Sequence, residues 1–262
     1  MKDISSERSY ERKFVNQFSA VAYICVYNEA DILPWTLRHL IEQGMRVYVI
    51  DNWSTDGSDE IARGFALDGF ERFPADGPAP QFSLIDALNR KAELARASDA
   101  NWCMHQDADE IRRSPRTGES LVDGFARVGQ KFNAVNFRVY HFLPTDDSYS
   151  GDPEKHFTHY EQTHSDAHMR QVKAWKNTGQ TVDLATAAGH FASFRGIAVA
   201  HEKFILKHYP LRTVTQAKRK VLEERLPRYP QSENDKKWHV QYRGFTADRE
   251  WLVQPEKLTQ WR

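Results

Sequence analysis

The most constraining feature of the sequence is a short apolar run that ends in a group of acids. Residues 101–105 form the run, and Asp107, Asp109 and Glu110 follow it closely. The length of the run and its neighbouring turn favour a buried strand. Carboxylates crowded at a strand end repel each other, and hard divalent cations such as Mg²⁺ or Mn²⁺ bind their oxygens and relieve that repulsion. Taken alone, the acids also fit a solvated turn or a helix start.

Two further apolar runs, joined by a helix, precede this one. Residues 21–27 are nearly all apolar, as in a strand that is covered on both faces. Residues 33–41 place their leucine and isoleucine side chains on one side of a helix. Residues 47–50 form the second strand. A strand, a helix and a strand with short links predict a βαβ unit with parallel strands.

Polar residues follow each of the three predicted strands. They are Asn28 and Glu29, Asp51 and Asn52, and Asp107 and Asp109. In open α/β sheets, ligands bind beyond the carboxyl ends of the strands. Three successive polar strand ends are much less expected by chance than any one of them. The sequence therefore predicts an α/β fold with a ligand site at this edge of the sheet.

The composition limits the class of protein. The chain has 262 residues, room for one large α/β domain, and equal numbers of basic and acidic residues, 36 each, which argues against a nucleic-acid binder. Cys25 and Cys103 lie in predicted strands as buried thiols and fit no zinc spacing. No apolar run approaches the length of a membrane span, and residues 1–19 are charged and expected to be peripheral. We expect a cytoplasmic location, with peripheral membrane contact left open.

Three segments together resemble a known family. They are Val26-Tyr27-Asn28-Glu29-Ala30-Asp31, Val49-Ile50-Asp51-Asn52-Trp53-Ser54-Thr55-Asp56-Gly57 and Asp107-Ala108-Asp109-Glu110. Their order and spacing resemble the family 2 glycosyltransferases of the GT-A fold. The resemblance implies a mainly parallel, mixed nucleotide-binding sheet with helices on both faces and a C-terminal acceptor region. It implies a single domain over residues 1–262, with a nucleotide-sugar half (20–112), an acceptor half (113–225) and a C-terminal arm (226–262).

The resemblance also implies ligands and roles. The donor would be a UDP-, GDP- or dTDP-linked sugar, the acceptor a glycan or a lipid-linked hydroxyl, and the cofactor Mn²⁺ or Mg²⁺. Transfer would invert the anomeric carbon, as in surface polysaccharide or glycoconjugate synthesis. By resemblance, the donor-binding residues are Tyr27, Asn28, Glu29, Asp51, Asn52 and Asp107. Asp109 would bind the metal, and Asp107 is a further candidate metal ligand. Many relatives have Asp-Asp where this chain has Asp51-Asn52, so the contact with the base is left open.

The chemistry of the leaving group agrees with a metal at this place. A nucleoside diphosphate leaves well only if its charge is neutralised, and a metal held by Asp109 would do this as a Lewis acid. Arg90 and Lys91, on the preceding helix, are further candidates for this neutralisation. The favoured interpretation is that Arg90 and Lys91 are ordinary solvated charges on a helix.

The acceptor half offers candidates for a general base. Residues 134–140 alternate between apolar and polar side chains, which predicts a strand with one buried face, and Asp146 and Asp147 follow it. An inverting transfer needs a base for the acceptor hydroxyl, and adjacent carboxylates can raise the pKa of one partner. A simple turn is the alternative interpretation of Asp146-Asp147. The further alternatives for the base are Glu161, Asp183 and Glu202.

The C-terminal third adds basic and histidine candidates. Residues 171–176 fit a strand or an edge segment, and Lys207-His208-Tyr209 leads through Arg212 into a basic helix at residues 216–220. This segment resembles the C-terminal end of a glycosyltransferase subgroup. The metal could therefore gain His208 or His190 as a ligand, and the diphosphate could meet Lys207 and Arg212. Any one of the 11 histidines is more often structural.

Two other classes of protein compete with this interpretation. A sugar nucleotidyltransferase shares an acidic metal site, but it usually carries a glycine-rich phosphate loop, and residues 27–30 are not one. The same absence argues against a Rossmann dehydrogenase. A non-catalytic sugar-binding protein of the same fold is the third class, and the intact Asp107-x-Asp109 argues against it.

Overall fold

A mixed β-sheet organises the part of the chain that the computed structural model describes, namely residues 18–161, 170–236, 238 and 242–261. The strands are β1 (Ala20–Val26), β2 (Arg46–Asp51), β3 (Gly69–Arg72), β4 (Trp102–Asp107), β5 (Glu110–Arg113), β6 (Ala134–Phe142), β7 (His159–Glu161), β8 (Gln171–Lys176), β9 (Phe204–His208) and β10 (Thr259–Gln260). The expectation for residues 1–19 falls almost wholly outside the described residues.

Short helices flank the sheet. They are α1 (Leu33–Glu42), α2 (Ser58–Arg63), α3 (Leu84–Ala97), α4 (Leu121–Arg127), α5 (Pro153–His156), α6 (Val214–Lys218) and α7 (Gln231–Asp235). Between α6 and α7 the chain forms a π-helix (Arg219–Arg225) and a 3₁₀ turn (Leu226–Arg228), and a second 3₁₀ turn spans Pro255–Lys257. Local chemistry fixes the start of α3, where the Ser83 Oγ accepts the Asp86 N–H at 3.1 Å.

The first half of the sheet is parallel, as the βαβ pattern predicts. Strands β3, β2, β1 and β4 are neighbours in that order, and all three pairings between them are parallel. In this register Val26 lies opposite Asp51, and Cys25 lies opposite Asp107. The residues that follow β1, β2 and β4 therefore meet at one edge of the sheet.

The second half of the sheet brings distant residues to the same edge. Strand β8 is antiparallel to β4 and to β6, whereas β9 is parallel to β6 and antiparallel to β5. This pairing places His208 opposite Glu110, and the Tyr209 N–H donates to the Asp109 carbonyl at 2.9 Å. The C-terminal histidine segment and the acids after β4 are thus held side by side by backbone hydrogen bonds.

Packing on both faces explains why the central strands are so apolar. On one face, the rings of Trp102, Phe125 and Phe204 stack in sequence, with centroids 5.1 and 5.3 Å apart. On the other face, Trp175 and Tyr23 belong to a second buried cluster. Burying one large apolar side chain contributes about 1.5–3 kcal/mol, so these strands anchor the edge that carries the polar residues.

A glycine in β3 tests how tightly the edge of the sheet is packed. A Cβ at Gly69 would overlap the Tyr48 ring, whose hydroxyl is fixed on Glu71 at 3.1 Å. Gly69→Ala should therefore lower the free energy of unfolding by about 1–3 kcal/mol, the usual cost of overpacking. Gly129→Ala is the matched control, since its Cβ would lie at an ordinary 3.9 Å from Phe132. Urea unfolding measures both variants, and equal effects would contradict the packing argument.

Candidate functional site

The loops after β1 and β2 bind each other and form one wall of the site. The Asn28 N–H donates to the Ser54 Oγ at 3.1 Å, and the Asn28 Oδ1 accepts the Thr55 N–H at 2.8 Å. Asn28 and Trp53 both adopt positive φ angles, 53° and 58°. Asparagine tolerates this left-handed conformation, whereas tryptophan rarely does, and strained backbone clusters at functional sites.

Asp51 and Asn52 lie at the end of β2 with different environments. The Asp51 carboxylate is fully buried, accepts the Ser54 N–H at 3.2 Å and lies 3.8 Å from the Arg72 Nε. Burial raises its pKa above the ordinary value. The Asn52 Nδ2 donates to the Phe73 carbonyl at 2.8 Å, and its Oδ1 accepts from the Arg228 Nη2 at 2.7 Å. Asn52 therefore presents its oxygen to the site.

Glu29, after β1, is the centre of a cluster of cations. Its carboxylate lies 2.5 Å from the Arg212 Nη2, 2.7 Å from the Lys220 Nζ and 3.3 Å from the Arg225 Nη2. Arg212 is fully buried and also binds Asp31 at 2.6 Å. Burial alone would lower the pKa of Arg212, but Glu29 and Asp31 outweigh it and raise that pKa. Arg212, which the sequence predicts as a diphosphate contact, therefore lies in the site, where its guanidinium binds carboxylates.

Asp109 shares one of these cations. The Lys220 Nζ donates to the Asp109 Oδ2 at 2.7 Å, and so bridges Asp109 and Glu29. The His208 Nε2 lies 3.6 Å from the other carboxylate oxygen, Oδ1. Burial opposes ionisation of Asp109, but Lys220 and then His208 outweigh it and hold the pKa well below its usual range. Asp109 is thus an anion at neutral pH.

Asp107 lies close to a second group of basic side chains. The Lys173 Nζ lies 3.0 Å from its Oδ2 and 2.8 Å from Glu110, while the Lys91 Nζ is 3.9 Å from the Asp107 Oδ1. Burial opposes ionisation, but Lys173, His105 and Lys91 keep the pKa of Asp107 well below its usual range.

The interpretation of Lys91 as a solvated helix charge was wrong. Its ammonium is buried against the His105 Nδ1 and the Gln106 carbonyl, at 2.9 and 2.8 Å. Arg90, in contrast, forms a partly exposed ion pair with Glu71 at 2.8 Å. Of the two helix cations, only Lys91 therefore reaches the acids.

The positions of the acidic and histidine side chains bear on whether a divalent metal fits the site. No group of three or more acidic, histidine or cysteine side chains converges on one point within the described residues. Asp109 Oδ1 and His208 Nε2, however, face each other at 3.6 Å. Neighbouring ligands of an ion with bonds of about 2.1 Å lie roughly 3 Å apart, so a small shift would let this pair hold one ion. His141 orients the imidazole, because its Nδ1 lies 2.8 Å from the His208 Nδ1.

The two other predicted metal ligands do not join that pair. Asp107 turns its carboxylate to Lys173, and His190 is exposed and pairs with the Gln171 amide at 2.9 Å.

Lys207 also lies outside the site. Side chains alternate along a strand, so Lys207 points away from the face of β9 that carries His208. Its ammonium binds Glu154 at 2.8 Å and lies 4.5 Å from the Trp261 ring centroid. The structure therefore does not bring Lys207 to a diphosphate.

Asp146 makes the contact of a turn, whereas Asp147 binds a helix start that is 67 residues away in the chain. The Asp146 Oδ1 accepts the Ser148 N–H at 2.8 Å, and the Asp147 Oδ1 accepts the Val214 N–H, at the start of α6, at 2.6 Å. Neither is brought to the acids at the strand ends. Two of the alternatives for the base bind other groups, since Asp183 accepts the Thr186 N–H and Glu202 binds Arg127. Glu161 is exposed at the end of β7 and lies opposite His141, whose ring contacts His208.

Five side chains that bind the residues at the strand ends were not among the predicted site residues. They are Lys173, Lys220, Glu224, Arg225 and Arg228. The last four lie in or just after the π-helix, at a spacing that presents one side of the segment to the strand ends. The basic stretch after residue 216 is the sequence pattern that could have indicated the last four. This pattern does not show which residue each side chain binds.

The family comparison agrees with this geometry. Residues 22–140 match the family model described as Glycosyl transferase family 2. Over these residues the chain matches the family that its motifs resemble, which confirms the resemblance, and the sheet confirms the α/β fold expected from the motifs. No curated protein shows significant sequence similarity to the chain.

Solved structures show only partial likeness. TarS of S. aureus matches with 14% identity and a TM-score of 0.44, over 73% of this chain and 37% of TarS. Mannosyl-3-phosphoglycerate synthase from Rubrobacter xylanophilus matches with 18% identity and a TM-score of 0.34, over 54% of this chain and 45% of the synthase. The chain thus spans less than half the length of each.

The charge network generates a prediction for Lys173. Lys173→Met should lower the free energy of unfolding by about 3–5 kcal/mol at pH 7, because Glu110 and Asp107 lose their buried partner. Folded Asp107 has a lowered pKa. Its stabilisation is therefore complete above its ordinary pKa of about 3.9 and is lost as the pH falls further.

The difference between wild type and Lys173→Met should therefore shrink below about pH 4. Urea unfolding at pH 7, 4.5 and 3.5 measures it, with the exposed Lys131→Met as control. A difference that stays constant down to pH 3.5 would remove Asp107 from the explanation.

Proposed function

We propose that the protein transfers a sugar from a nucleotide-sugar donor to a hydroxyl group of an acceptor, with inversion at the anomeric carbon. The observation that carries this proposal is the meeting of three polar strand ends, after β1, β2 and β4, at one edge of a family 2 glycosyltransferase domain. Ligands of open α/β sheets bind at such edges. In the reaction, the acceptor oxygen bonds to the anomeric carbon as the bond to the diphosphate breaks, and the hydroxyl proton passes to a base.

The donor would lie along this edge from β2 to β4. Tyr27, Asp51 and Asn52 would hold the nucleoside, since they offer an aromatic face and hydrogen-bonding oxygens. The diphosphate would point toward Asp109, where Lys220 supplies positive charge within the fold. Such preorganised charge stabilises the charge that develops on the leaving group.

Asp109 and His208 are the residues for which we propose a role in metal binding. We propose that these two residues hold Mn²⁺ or Mg²⁺, which would neutralise the diphosphate as a Lewis acid. Asp109 is suited to this role because it remains ionised at neutral pH. His208 is suited because its Nε2 faces the carboxylate while its Nδ1 contacts His141.

The orientation of Asn52 bears on the identity of the base. Its amide N–H is bound to the Phe73 carbonyl, so its Oδ1 is the atom that faces the site and accepts hydrogen bonds. Uracil, thymine and guanine carry a ring N–H that can donate to this oxygen. Cytosine and adenine place an acceptor nitrogen at the corresponding position of the ring, which would face Asn52 Oδ1 unfavourably.

The proposal extends to the acceptor and to the location of the protein. We propose a glycan or lipid-linked acceptor, handled by a cytoplasmic protein that can contact a membrane surface. No helix in the described part of the chain is long and apolar enough to cross a membrane.

The metal proposal is tested by Asp109→Asn. This change should reduce metal-dependent nucleotide affinity by roughly 10–100-fold or more, because the site loses an anionic ligand. Isothermal titration with UDP and GDP, each with and without Mn²⁺, measures the effect. Asp99→Asn is the control, since Asp99 is exposed next to Arg46 at the opposite end of the strands. Full retention of metal-dependent binding in folded Asp109→Asn would refute the ligand assignment.

The nucleoside proposal is tested with a set of bases. UDP or GDP should bind roughly 5–150-fold more tightly than CDP and ADP, which is the affinity equivalent of the cost of an unsatisfied buried polar group, about 1–3 kcal/mol. Competition calorimetry with the four diphosphates gives this ratio directly. Tighter binding of CDP or ADP would show that Asn52 does not use its oxygen to select a base with a ring N–H.

A further inference from the structure

A segment of the C-terminal region lies across the whole candidate donor site. We call this segment, Arg219–Arg228, the strap; it comprises the π-helix and the 3₁₀ turn after it. Its contacts with the strand ends are those of Lys220 with Asp109 and Glu29, Glu224 with Asn28, Arg225 with Glu29, and Arg228 with Tyr27 and Asn52. The strap therefore follows the line on which a nucleoside diphosphate would bind.

Arg228 has the chemistry of a nucleobase at the nucleoside end of this line. Its guanidinium lies 3.9 Å from the centroid of the Tyr27 ring, and its Nη2 donates to the Asn52 Oδ1 at 2.7 Å. A guanidinium is a flat, delocalised group with N–H donors at its edge. It therefore uses the same aromatic face and the same acceptor atom that a base with a ring N–H would use.

We propose that Arg228 occupies the nucleobase position of the free protein, so that the strap closes the donor site until a nucleotide displaces Arg228. The inference rests on the proposed function, since it takes Tyr27 and Asn52 as the nucleoside contacts. A base stacked on Tyr27 and bonded to Asn52 excludes Arg228 from both contacts. Arg228 is then a residue that determines which nucleotides gain entry.

The contacts of Arg228 suit a group that must leave. No carboxylate of the described residues forms an ion pair with it, and it is half-buried. Arg212, in contrast, is fully buried between Glu29 and Asp31. Burial lowers the pKa of Arg228, because its cation loses water without gaining an anion at close range. Leaving the pocket therefore restores hydration to the guanidinium.

The middle of the strap is also incompletely bonded. The Glu224 Oε1 accepts from the Asn28 Nδ2 at 2.7 Å and from the Arg219 Nη1 at 2.6 Å. The Glu224 Oε2 is buried and has no hydrogen-bond partner among the described residues. A buried, unsatisfied carboxylate oxygen is unfavourable, so the closed arrangement is held less firmly at Glu224 than at Lys220.

A closed site reduces apparent affinity by the fraction of molecules that are open. Removing the guanidinium should raise that fraction. We therefore expect Arg228→Ala to bind UDP or GDP about tenfold more tightly than the wild type, in line with a minor open population. Arg63→Ala is the matched control: its guanidinium also lies 3.9 Å from an aromatic centroid, that of Phe70, but it is exposed and outside the site.

A second measurement follows the strap in the wild-type protein. The Phe82 N–H donates to the Arg228 carbonyl at 2.9 Å, so its hydrogen exchange reports whether the strap is in place. Ligands usually slow amide exchange. Saturating UDP or GDP with Mn²⁺ should instead speed exchange at Phe82, because the amide loses its acceptor. This measurement also covers the case in which Arg228→Ala folds poorly.

The outcomes separate the two proposals. Tighter binding by Arg228→Ala, unchanged binding by Arg63→Ala and faster exchange at Phe82 support the gate. Equal or weaker binding by folded Arg228→Ala, or slower exchange at Phe82 on nucleotide binding, overturns the gate and leaves the proposed function intact. If neither protein binds UDP, GDP, dTDP, CDP or ADP, the proposed function fails and the gate fails with it.

Discussion

The rest of the site depends on compensation of negative charge at the carboxyl ends of the parallel strands. Backbone pairing of β1 with β2 and β4 forces Glu29 and Asp109 close together, and the ammonium of Lys220 lies 2.7 Å from both carboxylates. A buried anion without a partner costs several kcal/mol. The fold therefore has to carry buried cations to this edge, and β8, β9 and the strap are the elements that deliver them.

Three elements far apart in the chain supply those cations, and each protects a different carboxylate. Strand β8 brings Lys173 to Asp107, the segment after β9 brings Arg212 to Glu29, and the strap brings Lys220 to Asp109. Asp107 and Asp109 stay ionised as a result, because their pKa values are held well below the usual range. Carboxylates in that state can bind a cationic ligand without first losing a proton.

Local sequence was sufficient for the parallel half of the fold. The apolar runs of β1, β2 and β4 and the polar residues after them are short-range patterns, and both the strands and their shared edge were predicted from them. The partners of the acids were not predictable in this way. Lys173 lies in a mixed stretch that fits a strand or an edge segment. Its role depends on the antiparallel pairing of β8 with β4, which the local sequence does not indicate. Asp147 is a further case, because its sequence fits both a base and a turn, whereas its carboxylate binds the Val214 N–H at the start of α6, a long-range contact that the local sequence does not indicate.

The two ends of the strap differ in how strongly they are held, and the difference follows from electrostatics. Lys220 pairs at short distance with two buried carboxylates, whereas Arg228 meets a neutral amide oxygen and the face of a ring. Attraction between full charges at about 3 Å far exceeds that between a charge and a dipole when water is excluded. Lys220 should therefore stay in place while Arg228 leaves. The phosphate end of the site is then preformed, with its charges fixed by the fold, and selection among nucleotides falls to the base end, where the strap yields.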